Sequence, residues 1–388
     1  MKLFFRLLVL VAAVEIGLRF FPVRHSEVDI TSVHRYLPGW NNWILYHRKI
    51  PPFEGVSRTG PLHGVSTVEA SLSVNRFGFL FDERDVRRKA EKEIRIGVVG
   101  GSTVECSALQ ADRRWPSVLQ SILATGIDDR SVRVFNLGLS AQDTRTHLAT
   151  VSQLAVKMDL DFLVFMVGAN DLFRSAEPFE PLNAPHAFVD FSVFQPGIRG
   201  YIKHILLQSQ ILARVYTLRS PPNATTSDRA YFQDQVTSLA KLPELKSQLE
   251  MAARPLQDYE TNLVSLHALS VAHGIKPIFV TQPMLWKPEM SAEEIAVDWM
   301  RGAVVNGTHF QLSSAQSERF LTQLNARLMT VCARENWQCI DLAKEMPRSL
   351  EFFYDSLHFN EAGAKFVANR VSVDLLREIR EGTPPAAR

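Results

Sequence analysis

Five short runs of apolar, β-branched or aromatic residues recur along the chain, at 94–99, 132–137, 162–167, 277–281 and 338–342. Most end in turn residues: Gly100-Gly101, Gly138, Gly168 and Pro283. Near-continuous apolarity predicts strands buried on both faces, as in a parallel sheet. Between these runs, apolar residues follow helical spacing over 115–123, 146–157, 256–273, 315–335 and 361–380. Strand alternating with helix predicts an α/β fold, a three-layer doubly wound sheet of about five parallel strands. Ligands of such sheets bind beyond the carboxyl ends of the strands, so chemistry is sought just after each strand.

Three stretches break the rhythm. Residues 3–22 have about the length of a membrane span, but Arg6, Glu15 and Arg19 interrupt it. Glu15 and Arg19 are spaced to pair on a helix, and the two arginines lie near its ends, where they can snorkel. No small-x-small cleavage site follows the apolar core. Residues 1–22 are therefore read as a membrane anchor or uncleaved signal. A cleaved signal and an amphipathic helix lying on a soluble domain are the alternatives. Lys2 and Arg6 ahead of the span favour that end inside and the bulk outside the cytoplasmic membrane, in the periplasm, although Arg19 and Arg24 blunt the asymmetry. Residues 23–90, with Pro38, Pro51, Pro52 and Pro61, are read as an irregular segment. It runs into a charge-rich stretch, 82–95, of the kind that forms a solvated helix face. The α/β domain then occupies 91–388, with an insertion at about 173–255 and a shorter one at 285–310. An insertion at the carboxyl edge of a sheet can wall or lid a site.

Composition narrows the class. In 388 residues, 46% hydrophobic and 22% charged, the chain has a globular balance. Lys+Arg 43 against Asp+Glu 41 leaves no basic excess to hold a phosphate backbone, which argues against nucleic acid as a main partner. Cys106, Cys332 and Cys339 are too few for a disulfide framework or a four-cysteine zinc site. One bridge, Cys332–Cys339, stays open for an oxidising compartment; two buried thiols is the favoured reading.

Candidate chemistry follows four strands. After the first come Gly100-Gly101-Ser102-Thr103-Val104-Glu105. A serine at a strand-to-helix turn can expose its hydroxyl at the top of the sheet, with a helix N-terminus behind it favouring developing negative charge. Ser102-x-x-Glu105 is equally a capping box. After the second strand, the small residues between Asn136 and Thr144 permit close backbone approach or simply make a turn. After the third, Asn170 in Gly168-Ala169-Asn170-Asp171 can donate to an oxyanion or cap the next segment. After the fifth, Asp355-Ser356-Leu357-His358 lets an aspartate hold one imidazole nitrogen while the other stays free as a base. His147 and His273 are competing bases without an acid three residues before them.

The ordered set resembles the SGNH (GDSL-type) hydrolase family, whose G-x-S, N-x-x-x-x-G, G-x-N-D and D-x-x-H blocks match these stretches. Trp115-Pro116 matches as well, and the resemblance covers about 94–172 and 256–380. Asn75-Arg76-Phe77-Gly78-Phe79 ahead of the serine block resembles a membrane-anchored bacterial branch of that family. The resemblance implies a flavodoxin-like fold and acyl-ester hydrolysis by Ser102, His358 and Asp355 as nucleophile, base and orienting acid. The N–H groups of Ser102 and Ala141 and the Asn170 amide would hold the oxyanion. Two positions depart from the pattern. Gly101 replaces the aspartate of G-D-S, and Ala141 stands where the family has its oxyanion glycine, with Gly138 the weaker match. No cofactor or metal is called for. The resemblance implies a small-molecule or carbohydrate ester as substrate, for example an O-acetyl ester of a cell-envelope carbohydrate. An O-acyltransferase on the same site and a catalytically silent carbohydrate-binding or assembly protein stay open. The pattern carries no signal of oligomeric state.

Overall fold

The computed structural model describes residues 2–19, 53–58, 62–66, 69–75, 77–82, 86, 88–140, 142–175, 211, 236–245, 253–305 and 308–381. Most of the 173–255 insertion and residues 20–52 lie outside these. In chain order the first elements are α1 (Lys2–Arg19), β1 (Phe53–Arg58), β2 (Glu69–Val74), β3 (Glu93–Gly100), α2 (Ser102–Glu105) and α3 (Trp115–Gly126). Next come β4 (Ser131–Gly138), α4 (Thr144–Gln153), β5 (Phe162–Val167), α5 (Ala169–Ser175), α6 (Ala253–Ala272) and β6 (Lys276–Thr281). Then follow α7 (Ala292–Ala296), β7 (Gly302–Val305), β8 (Thr308–Gln311), α8 (Ser314–Glu335), β9 (Cys339–Ile340), α9 (Leu342–Glu345) and α10 (Glu361–Glu381).

Five strands form one parallel sheet in the order β4-β3-β5-β6-β9. Counted along the chain this is the flavodoxin-like order 2-1-3-4-5, and its direction reverses between β3 and β5. Every residue of β5 is buried. Leu163, Phe165 and Val167 pack in one layer with Val151 of α4, Leu263 of α6 and Leu321 of α8. Phe162, Val164 and Met166 pack in the other with Trp115 of α3 and Val367 of α10. Two buried faces explain why these strands read as unbroken apolar runs.

Several expectations change. The run at 338–342 yields only a two-residue strand. There the Thr281 hydroxyl donates to Asp341 at 3.0 Å and accepts the Ala343 N–H at 2.8 Å, so side chains take over from the ladder. The segment 23–90 is not irregular throughout, because β1 and β2 pair antiparallel and Ala70, Leu72 and Val74 of β2 are buried. At its end, residues 93–95, the charged stretch 82–95 is strand and not a solvated helix face. There, in β3, Arg95 is only 2% exposed, donates to the Met158 carbonyl at 3.1 Å and lies 3.2 Å from Glu93. Residues 2–19 form one helix, and among the described residues no helix is long and apolar enough to cross a membrane. Arg6, Glu15 and Arg19 fall within those 18 residues.

Cys332, near the end of α8, is bridged to Cys339 of β9. The favoured sequence reading, two thiols, is thereby corrected. Cys106 is the one free cysteine, and burial pushes its thiol up to about 12.

Candidate active site

The turn after β3 places Ser102 at the first position of α2, where a backbone N–H has no intrahelical partner. The turn is braced from two sides. Trp115 is fully buried and its indole donates to the Thr103 carbonyl at 3.0 Å, which gives the Trp115-Pro116 pair its place in the pattern. The Thr103 hydroxyl donates to Gln282 Oε1 at 2.9 Å, beyond the end of β6. Gln282 is in turn held by Asn325 of α8 through two bonds of 2.9 Å.

The capping-box alternative is not what forms here. Gly101 is the N-cap, without a side-chain bond. The buried carboxylate of Glu105 turns to the loop after β4, where it accepts the Ser140 hydroxyl and, at 3.1 Å, the Ser140 N–H. Ser102 Oγ is thereby left to face His358 Nε2, 2.7 Å away. His358 Nδ1 lies 2.7 Å from Asp355 Oδ2.

The spacing Asp-x-x-His has a local cause. Phe353 bridges Phe359 antiparallel, so 354–358 is a tight loop. Asp355 Oδ1 fastens it by accepting the N–H groups of Leu357 at 2.9 Å and His358 at 2.7 Å. That leaves Oδ2 aimed at the imidazole. Asn360, 0% exposed, then caps α10, its Oδ1 accepting the Gly363 N–H at 3.0 Å.

Asn170 sits in the first turn of α5. Its Nδ2 donates to the Gln142 carbonyl at 2.8 Å, and an amide nitrogen carries a second hydrogen. A Cβ built on Gly101 would lie 2.3 Å from that nitrogen. The departure from G-D-S is therefore steric: glycine lets the Asn170 amide approach the residue before Ser102. Asp171 accepts from the backbone and hydroxyl of Thr144, tying α5 to α4. Ala141 lies outside the described residues. Gly138 does another job. Its N–H is held by Asn136 Oδ1 at 2.9 Å, and an added Cβ would meet the Glu105 nitrogen at 2.3 Å.

Of the competing bases, His147 is buried in α4, and burial pushes its imidazole down to about 4. His273 precedes β6, at the opposite edge of the parallel sheet from Ser102. Trp299, which sequence reasoning did not single out, donates its indole N–H to Asp355 Oδ2 at 3.0 Å.

A hydroxyl, an imidazole and a carboxylate in this chain of hydrogen bonds can pass the hydroxyl proton to the imidazole as the oxygen attacks. Fold and site together define a serine hydrolase on a flavodoxin-like sheet. The model of the GDSL-like Lipase/Acylhydrolase family matches residues 98–366, and the chain belongs to that family of ester hydrolases. No curated protein matches the sequence. Among solved structures, it is similar to an α/β hydrolase enzyme from the metagenome of Lake Arreo, Spain. That match has 13% identity, covers 74% of this chain and 97% of the other, and has a TM-score of 0.41. An acetylxylan esterase from Geobacillus stearothermophilus matches at 14% identity over 77% of this chain and 98% of its own, TM-score 0.41. A GDSL-like lipase from Bacteroides thetaiotaomicron matches at 12% identity over 75% and 92%, TM-score 0.39.

Proposed function

We propose that the protein hydrolyses acyl esters, O-acetyl esters of a cell-envelope carbohydrate among them, through a Ser102–His358–Asp355 triad. The observation that carries this is the chain from Ser102 Oγ to His358 to Asp355, with two links of 2.7 Å. In this reading Ser102 Oγ attacks the ester carbonyl and its proton passes to His358 Nε2. The imidazolium is stabilised by Asp355, and its proton then goes to the leaving alcohol. Water, activated by the same histidine, releases the acid from the acyl-enzyme. The Ser102 N–H, the backbone N–H of Ala141 and the free hydrogen of the Asn170 amide hold the oxyanion. This is where catalysis by preformed donors is strongest.

A location outside the cytoplasmic membrane is part of the proposal. Two observations support it. The Cys332–Cys339 bridge suits an oxidising compartment. On α1, Val9, Leu10, Val11, Val14 and Ile16 are all exposed, giving a helix that can rest in a lipid surface. The carbohydrate ester follows from that location together with the family resemblance.

A fluorophosphonate, which phosphonylates only an activated serine, tests the chemistry. Wild type is expected to label and Ser102→Ala not to; equal labelling would remove Ser102 as nucleophile. Release of acetate with and without a sugar acceptor then separates hydrolysis from acyl transfer. For the location, a reporter active only outside the cytoplasm is fused to the C-terminus, and an inactive fusion counts against it.

A further inference from the structure

The loop that carries Asp355 and His358 is held by a segment outside the family's motifs. Asp298 and Trp299 follow α7 in the insertion between β6 and α8, and they grip the adjacent residues Ser356 and Asp355. Asp298 is 0% exposed. Its Oδ1 accepts the Ser356 hydroxyl and, at 2.9 Å, the indole N–H of Trp286. Its Oδ2 accepts the Ser314 hydroxyl at 3.2 Å and lies 2.8 Å from Arg301 Nε. The Leu285 N–H donates to the Ser356 carbonyl at 2.8 Å, so backbone also joins the two segments. With Asp298 locked, its neighbour has a fixed reach. Trp299 Nε1 donates to Asp355 Oδ2 at 3.0 Å, the same oxygen that faces His358 Nδ1. The indole lies nearly parallel to the imidazole, at 10° with ring centroids 6.3 Å apart.

We propose that Trp299 is a positioning residue for ester cleavage, acting through Asp355; the inference rests on the triad reading above. Asp355 Oδ1 is fixed by two backbone N–H groups. Among the described residues, Oδ2 would otherwise be held only by the histidine, which changes charge during the reaction. The indole N–H is a second donor that does not. It keeps the lone pair of Oδ2 aimed at Nδ1 before and after proton transfer, so orientation is set in advance.

The test uses the full chain, p-nitrophenyl acetate turnover and the rate of fluorophosphonate labelling, on a cycle of wild type, Trp299→Phe, Asp355→Ala and the double variant. Removing a hydrogen bond to a charged group predicts a fall of about 10- to 100-fold in kcat and labelling rate for Trp299→Phe. KM should stay within about twofold, and thermal unfolding should show a retained fold. In the Asp355→Ala background the same substitution should cost less than about twofold, because its route is already gone. Full loss in both backgrounds, or an effect confined to KM, would make Trp299 a wall of the substrate site and overturn the proposal. A Trp299→Phe variant as fast as wild type overturns it too. Trp299→Tyr, also without the indole N–H, takes the place of Trp299→Phe should that variant fail to fold. A wild type that does not label sinks the triad reading itself. A labelled wild type with an unimpaired Trp299→Phe sinks only the role of Trp299.

Discussion

At the scale of single residues, the site is a set of competing uses of the same polar atoms. Ser102 and Glu105 have the spacing of a reciprocal cap, yet the carboxylate goes to Ser140 and the hydroxyl to His358. Ser102→Ala should therefore abolish labelling and turnover while shifting the unfolding midpoint little. A destabilised but active variant would restore the capping role. The same logic joins Gly101 to Asn170. An added Cβ would sit 2.3 Å from the Asn170 amide nitrogen. Gly101→Ala should then act like Asn170→Ala, each lowering kcat by about 10²–10³ with KM nearly unchanged. The two losses should not add, since both remove one donor from the oxyanion. Independent losses measured in the double variant would show that Gly101 matters for another reason.

At the scale of elements, the structure is most legible where one physical cause sets the pattern. β3, β4, β5 and β6 stand within a residue of the predicted runs because burial on both faces leaves no polar position in most of their length. Asn360 caps α10 for a cause just as simple: a side-chain oxygen must meet an unpaired helix N–H. Its Nδ2 also donates to the carbonyls of Leu350 at 3.1 Å and Glu351 at 3.0 Å, pinning the segment ahead of the loop that carries Asp355 and His358. Asn360→Ala should cost about 1–3 kcal/mol in urea unfolding. Asn360→Asp, keeping the cap oxygen but not the donors, should fall between it and wild type. An unchanged stability for Asn360→Ala would remove that role. What the sequence did not disclose depends on long-range partners. β2 alternates over only six residues, and it is tied in by long-range backbone contacts such as that of Arg114, which donates to the Ser71 carbonyl at 2.6 Å. Trp299 touches Asp355 across 56 positions, from an insertion with no motif of its own. Ser102, Asp355 and His358 were legible because each lies between a strand and a following helix, in an ordered set of short motifs; Trp299, proposed to steady them, lies in an insertion without a motif.

At the scale of the whole molecule, stability carries its own record of what is buried. The Cys332–Cys339 bridge closes a short loop, with a sequence separation of 7. On a chain-entropy account such a loop is worth about 2–3 kcal/mol, so reductant should lower the urea midpoint in wild type and leave Cys332→Ser/Cys339→Ser unaffected. Protonation makes a second demand. His147 is 2% exposed, and burial holds its imidazole at about 4, below the unfolded value of about 6.5. A folded value below the unfolded one means the contribution is fully present above about pH 6.5. It is lost as pH falls toward 4, because the unfolded chain takes up a proton the native state refuses. At pH 5 the loss should be about 2 kcal/mol relative to pH 7. His267, lowered by burial and stacked on Trp337, works in the same direction, whereas Asp298, raised by burial, works against it. Comparing wild type with His147→Gln at both pH values cancels those shared terms. The difference in unfolding free energy between pH 7 and pH 5 should shrink by about 2 kcal/mol in the variant. An identical pH dependence in the two proteins would mean that His147 takes up its proton in the folded state, which would return it to the list of bases able to serve Ser102.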